Sequence, residues 1–163
     1  MHILVDADAC PVRAILVEEA RLRGLPVTMV FDHSHIIEDG YSRCITVDRG
    51  ADSADWKIAN LVTAGDLVVT QDYGVAALAL GKGARALSQN GLVYTADNID
   101  RLLFERFLGG RVRRAGGRTR GPKKRTARED EAFRTALIAL LDAAQRAAPP
   151  LSGNPSGKDA QPD

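Results

Sequence analysis

The sequence predicts an α/β fold with a mostly parallel sheet and helices on both of its faces. Three observations carry this. Short apolar runs alternate with segments of helical spacing from residue 2 to residue 107, which is the pattern of β-α-β units. The chain has no internal repeat. Its 163 residues, 45% hydrophobic, are enough to bury one core without a disulfide or metal staple.

The elements follow in order. His2 to Val5 is an apolar strand ending at Asp6. Pro11 sits where a helix begins, and Val12, Ile15, Leu16 and Ala20 keep helical spacing up to Gly24. Leu25 to Phe31 is β-rich, FDHSHIIEDGYS is a polar loop, and Arg43 to Asp48 is a third strand. Asp52 or Ser53 caps a helix carrying Trp56, Ile58, Ala59, Leu61 and Val62, closed by Gly65. Asp66 to Thr70 is the fourth strand, and Tyr73 to Leu80 a short helix stopped by Gly81 and Gly83. Asn90-Gly91 lies between two apolar stretches and is compatible with a hairpin or with a strand and a loop. Asp97 or Asn98 caps a helix that Gly109-Gly110 ends. Glu129 to Ala147 again has helical spacing, and Ala148 to Asp163 is rich in Pro, Gly and Ser, the composition of a disordered tail.

Charge divides the chain. Residues 1–110 hold 10 Lys and Arg against 15 Asp and Glu, net −5, whereas residues 111–128 hold nine basic side chains and no acidic one. Nine like charges without a counter-charge repel one another, so an anionic partner is expected there, with Arg111, Arg113, Arg114, Lys123, Lys124 and Arg125 as its contacts. The Gly and Pro content of this stretch argues against a continuous helix. The expected organisation is an α/β domain over 1–110, a basic segment and C-terminal helix over 111–147, and a tail over 148–163. Apolar runs stop far short of the roughly 18 residues of a membrane span, and the N-terminus lacks a leader pattern. A cytoplasmic location is expected. Cys10 and Cys44 form no CxxC and read as reduced thiols.

In open α/β sheets ligands bind beyond the carboxyl ends of the strands, and here aspartates stand there. Asp6 and Asp8 follow the first strand, Asp48 the third and Asp72 the fourth, while Asp52 and Asp55 lie one helical turn apart at a helix start. Carboxylates brought together raise each other's pKa unless a cation shares them, and hard ions such as Mg2+ and Mn2+ take such oxygens. Asp48 reads as structural, and Asp66, opening a strand at the opposite sheet edge, is excluded. The loop residues Ser34 and His35 are possible substrate contacts. Cys10 reads as a buried thiol, and Trp56 and Tyr73 either pack in the core or stack on bases. Neither a phosphate-binding GxxxxGK[ST] loop nor HExxH occurs.

MHILVDADACPV, DRGADSADWKIAN, GDLVVTQDYGVAALALGKGARAL and GPKKRTAREDEAF, in this order over residues 1–145, resemble the YaiI/YqxD family of bacterial proteins, a PIN-like group. That resemblance implies a three-layer α/β/α sandwich. It also implies a divalent-metal nuclease in which Asp6, Asp55 and Asp72 are catalytic, with Asp8 and Asp52 extending the metal-binding set and Mg2+ or Mn2+ as cofactor. The expected partner is nucleic acid, RNA ahead of DNA. Two other readings stay open: a haloacid-dehalogenase-like phosphatase using Asp6 and Asp8, and a non-catalytic RNA-binding accessory.

Overall fold

The computed structural model describes residues 1–32, 38–48, 50, 53–116 and 123–147. Six strands and five helices alternate: β1 (Ile3–Asp6), α1 (Arg13–Leu22), β2 (Val27–Asp32), β3 (Arg43–Val47), α2 (Ser53–Leu61), β4 (Leu67–Val69), α3 (Tyr73–Gly81), β5 (Arg85–Leu87), β6 (Val93–Tyr94), α4 (Ala96–Arg114) and α5 (Ala127–Ala147). They form one sheet of order β3-β2-β1-β4-β5-β6. Every pair is parallel except β5 with β6, so the Asn90-Gly91 turn closes an antiparallel hairpin.

Side-chain alternation along the strands builds two apolar layers. Ile3 and Val5, Met29 and Phe31, Leu67 and Val69 face α1 and α5, where Leu16, Phe133, Leu137 and Leu141 are fully buried. Leu4, Val30 and Val68 face the opposite way, against Ile58 of α2, Val75 and Ala76 of α3, and Ile99 and Leu102 of α4. This is the α/β/α sandwich, with α5 as an integral layer. By the same alternation Asp6, Asp32 and Thr70 follow Leu4, Val30 and Val68 onto the α2–α4 side.

Two helix limits differ from expectation. Helix α4 starts earlier, because Thr95 caps it: the Thr95 hydroxyl accepts from the Asn98 amide while the Asn98 side chain accepts from the Thr95 amide. It also runs through Gly109-Gly110 to Arg114. The left-handed residue that ends a helix is Gly116, at φ +84°. Arg111, Arg113 and Arg114 are therefore helical, and a boundary at residue 110 falls inside an element.

The hairpin is fastened to α5. Arg125 donates to the Gln89 carbonyl (2.7 Å) and the Asn90 side chain (2.9 Å), and pairs with Asp130 (2.6 Å). Gly91, at φ +85°, lies so close that a Cβ would stand 2.6 Å from the Ala132 carbonyl oxygen. No other residue type fits there. Among the described residues, no helix is long and apolar enough to cross a membrane.

Candidate active site

The chain turns outward in both directions from β1: to β2 and β3 on one side, and later to β4 and the hairpin on the other. The carboxyl ends of β1 and β4 thus form the topological switch point, where open α/β sheets hold ligands. Asp6 ends β1 and Thr70 follows β4. The Thr70 hydroxyl donates to Asp6 Oδ2 (3.3 Å) and accepts from the Asp72 amide (3.0 Å), tying the two strand ends together. Thr70 is fully buried, and its carbonyl accepts from the Tyr94 hydroxyl (3.3 Å). Burial, with Tyr73 and Asp72 nearby, pushes Tyr94 up to about 12, which keeps it a donor.

Beside Asp6 opens a cleft of about 540 Å³ lined by Asp6, Asp8, Asp32, Asp48 and Asp55 together with Ser53. The Asp32 amide donates to both oxygens of Asp8 (3.1 and 3.3 Å), which folds the loop after β1 against the end of β2. Burial first, and then the negative charge of Asp55, with smaller contributions from Asp8 and Asp72, raises Asp6 from 3.8 to about 6; the Thr70 hydrogen bond opposes this. The carboxylates therefore converge electrostatically on Asp6, as their strand-end positions predict.

Asp72 is held differently. It caps α3, its Oδ1 accepting from the Gly74 (2.7 Å) and Val75 (3.1 Å) amides, and its Oδ2 pairs with Arg106 of α4 at 2.9 Å. Burial would raise its pKa, but Arg106 and the two amides outweigh it and hold the carboxyl below the usual range. Asp6, Asp72, Gln71, Tyr73, Glu105 and Arg106 line a second opening, and from Asp72 a groove follows α4 past Arg106, Phe107 and Gly110 to Arg113 and Arg114.

The structure thus brings Asp6, Asp8 and Asp55 to one cleft with Asp72 at its side. Asp52, Ser34 and His35 lie outside the described residues. Arg111, Arg113 and Arg114 are exposed at the end of α4, and Lys123 and Lys124 are exposed before α5. Arg125, also expected as a nucleic-acid contact, has its guanidinium bonded to the hairpin and to Asp130. Asp66 is confirmed as structural: it is buried and accepts from the His2 and Thr63 amides and the Thr63 hydroxyl. Cys10 is buried, and burial raises its thiol pKa. Trp56 is 68% exposed, which removes the core-packing reading for it. Two residues escaped sequence reasoning: Asp32, which ends β2 and was legible by the same strand-end rule, and Arg106, which carried no local signal; Asp48, read as structural, lines the cleft.

The donor chemistry fits Mg2+ or Mn2+, because the charged groups lining the cleft are all carboxylates, which offer hard oxygens. Among the described residues no three His, Cys, Asp or Glu side chains are gathered as a metal-holding group. Mg2+, however, commonly uses only one or two carboxylates and keeps its waters, so that set suffices.

Residues 4–143 match the family described as "Uncharacterized BCR, YaiI/YqxD family". A UPF0178 protein of Ruminiclostridium cellulolyticum is 59% identical over 141 residues, covering 86% of this chain and 92% of its own. Another UPF0178 protein, from Clostridium kluyveri, is 48% identical over 141 residues, covering 86% and 93%. A crystal structure of a Rae1 (YacP) mutant from Bacillus subtilis is similar over 91% of this chain and 100% of its own, at 21% identity and a TM-score of 0.36. The family match begins in β1 and ends in α5, spanning the strand ends and helix starts that supply the carboxylates; this chain belongs to the YaiI/YqxD family.

Proposed function

We propose that this protein is a divalent-metal-dependent nuclease that hydrolyses phosphodiester bonds, RNA ahead of DNA. The observation that carries this reading is the cleft at the strand ends lined by Asp6, Asp8, Asp32, Asp48 and Asp55, beside a groove carrying Arg106, Arg113 and Arg114. An acidic centre next to a basic track suits a polyanion whose reacting group must be approached by carboxylates.

Asp6 with one neighbouring carboxylate, Asp55 or Asp8, would hold Mg2+ or Mn2+, with Asp72 at the margin. When bound, the ion would neutralise charge on the reacting phosphate and shield the carboxylates from one another. The chain's own residues do the rest. Thr70 fixes the Asp6 carboxylate through its hydroxyl, and Arg106 holds Asp72 while presenting its guanidinium to the groove. Arg113 and Arg114 grip the backbone without reading bases, so binding should be steeply salt-dependent.

Purified protein incubated with single-stranded RNA and Mn2+ should give cleavage products that EDTA abolishes. Asp6→Asn and Asp55→Asn should each lower the rate at least about a hundredfold, the scale of losing one transition-state electrostatic contact. Wild-type protein that cleaves neither RNA nor DNA, or an Asp6→Asn variant with full activity, overturns the reading.

A further inference from the structure

The chemistry above makes no use of the side chain next to Asp55. Trp56, the sole tryptophan of the chain, stands 68% exposed on α2, although a side chain of this size is ordinarily well covered. It rims a groove of about 730 Å³ between α2 and α3 that Asp55, Ala59, Asp72, Gly74, Leu78 and Lys82 also line. Both helices begin at the carboxylate cleft, so the groove opens there and runs toward their C-terminal ends. Its walls are mostly apolar, and Ala59, Gly74 and Ala77 place no bulky side chain in it. The Lys82 ammonium donates to the Ala59 carbonyl and bridges the two helices at the far end.

This apolar groove shares Asp72 and Gly74 with the groove that carries Arg106, Arg113 and Arg114. A cationic track and an apolar slot therefore meet at the carboxylates. The complementary ligand is anionic along one edge and flat and apolar along the other. An unpaired nucleotide strand has that character, whereas a duplex keeps its bases in the stack.

We propose that the groove between α2 and α3 is a nucleobase pocket, in which an unpaired base stacks on Trp56 while the adjoining phosphates lie along the Arg106, Arg113 and Arg114 track. The proposal rests on the nucleic-acid reading above and assigns it a single-stranded substrate. It adds Trp56 as a binding residue outside the reacting centre.

Trp56 supplies its own reporter. In EDTA, its emission is followed while the protein is titrated with a short oligouridylate, with an abasic ribose-phosphate strand of the same length, and with an RNA duplex. The oligouridylate should quench emission and bind about tenfold more tightly than the abasic strand, the scale of one stacked base. The duplex should leave emission unchanged. Followed by the anisotropy of end-labelled strands, because the variants lack tryptophan, Trp56→Ala should bind the two single strands alike, and Trp56→Phe should keep most of the difference. Equal affinity of wild-type protein for both strands, or a base preference that survives in Trp56→Ala, overturns the proposal. A Mn2+ cleavage assay separates the two readings. A strand that quenches Trp56 but stays intact leaves the pocket standing and defeats hydrolysis, and equal cleavage of strands with and without bases defeats the pocket alone.

Discussion

Asp6 and Glu19 are carboxylates removed from water with opposite consequences for stability. The folded protein raises Asp6 from 3.8 to about 6, so it binds a proton more tightly than the unfolded chain does between those values. Asp6 therefore contributes stability that is present below its unfolded pKa and lost as pH rises through about 6. Asp6→Asn should remove the cost of the ionised form. In EDTA at pH 7.5 it should be about 2 kcal/mol more stable than wild type by denaturant unfolding, with no gain near pH 3, and added Mg2+ should narrow the gap. Glu19, 5% exposed on α1, is the reverse case. Burial would raise it, but Arg23 at 2.7 Å and Arg134 at 2.6 Å prevail and lower it, so its contribution is present above its unfolded pKa and lost in acid. Asp6, Asp55 and Asp72 were legible as a group because a strand end or a helix start fixes where each one points. Arg106 was not, since its pairing with Asp72 depends on how α4 crosses the end of β4, a tertiary fact with no local pattern.

Helix α4 shows how far local rules reach at the level of one element. Asp97 and Asn98 are strong capping types and Gly-Gly is a strong stop, so sequence reasoning trims the helix at both ends. The structure uses Thr95, two residues upstream, because only there does Asn98 fall at the reciprocal position. It passes through Gly109 and Gly110, which keep helical backbone, and stops where Gly116 turns left-handed. A pair of substitutions distinguishes the two endings. Around Gly110 a Cβ meets nothing closer than the Arg114 guanidinium at 4.0 Å, so Gly110→Ala should stabilise the protein by about 0.5 to 1 kcal/mol. Gly116→Ala puts a side chain at φ +84° and should destabilise the last turn by about 1 kcal/mol. Thermal unfolding reports the first, and amide exchange at Arg111 to Arg114 the second. The strands were read to within two residues because each is a short apolar run bounded by Gly, Pro or Asp, and the hairpin stayed ambiguous because its register is set by Arg125 and α5.

For the molecule as a whole, the sheet needs covers on both faces, and α5 is half of one of them. Phe133, Leu137 and Leu141 are fully buried against β1 and α1. Glu19 and Glu18 pair with Arg134, and Asp142 with Arg23, across the same seam. Phe133→Ala should cost about 3 to 5 kcal/mol of global stability, and a chain ending before residue 127 should fail to give a cooperative unfolding transition. The packing of β1 and α1 in one cluster with residues near the other end of the described chain also bears on its birth. A ribosome delivers β1 before α5, so the Ile3 and Val5 face and the apolar side of α1 must wait uncovered until residues 133–141 emerge. Contacts of long sequence separation, such as Arg134 with Glu19, form only once α5 is available, which favours slow folding.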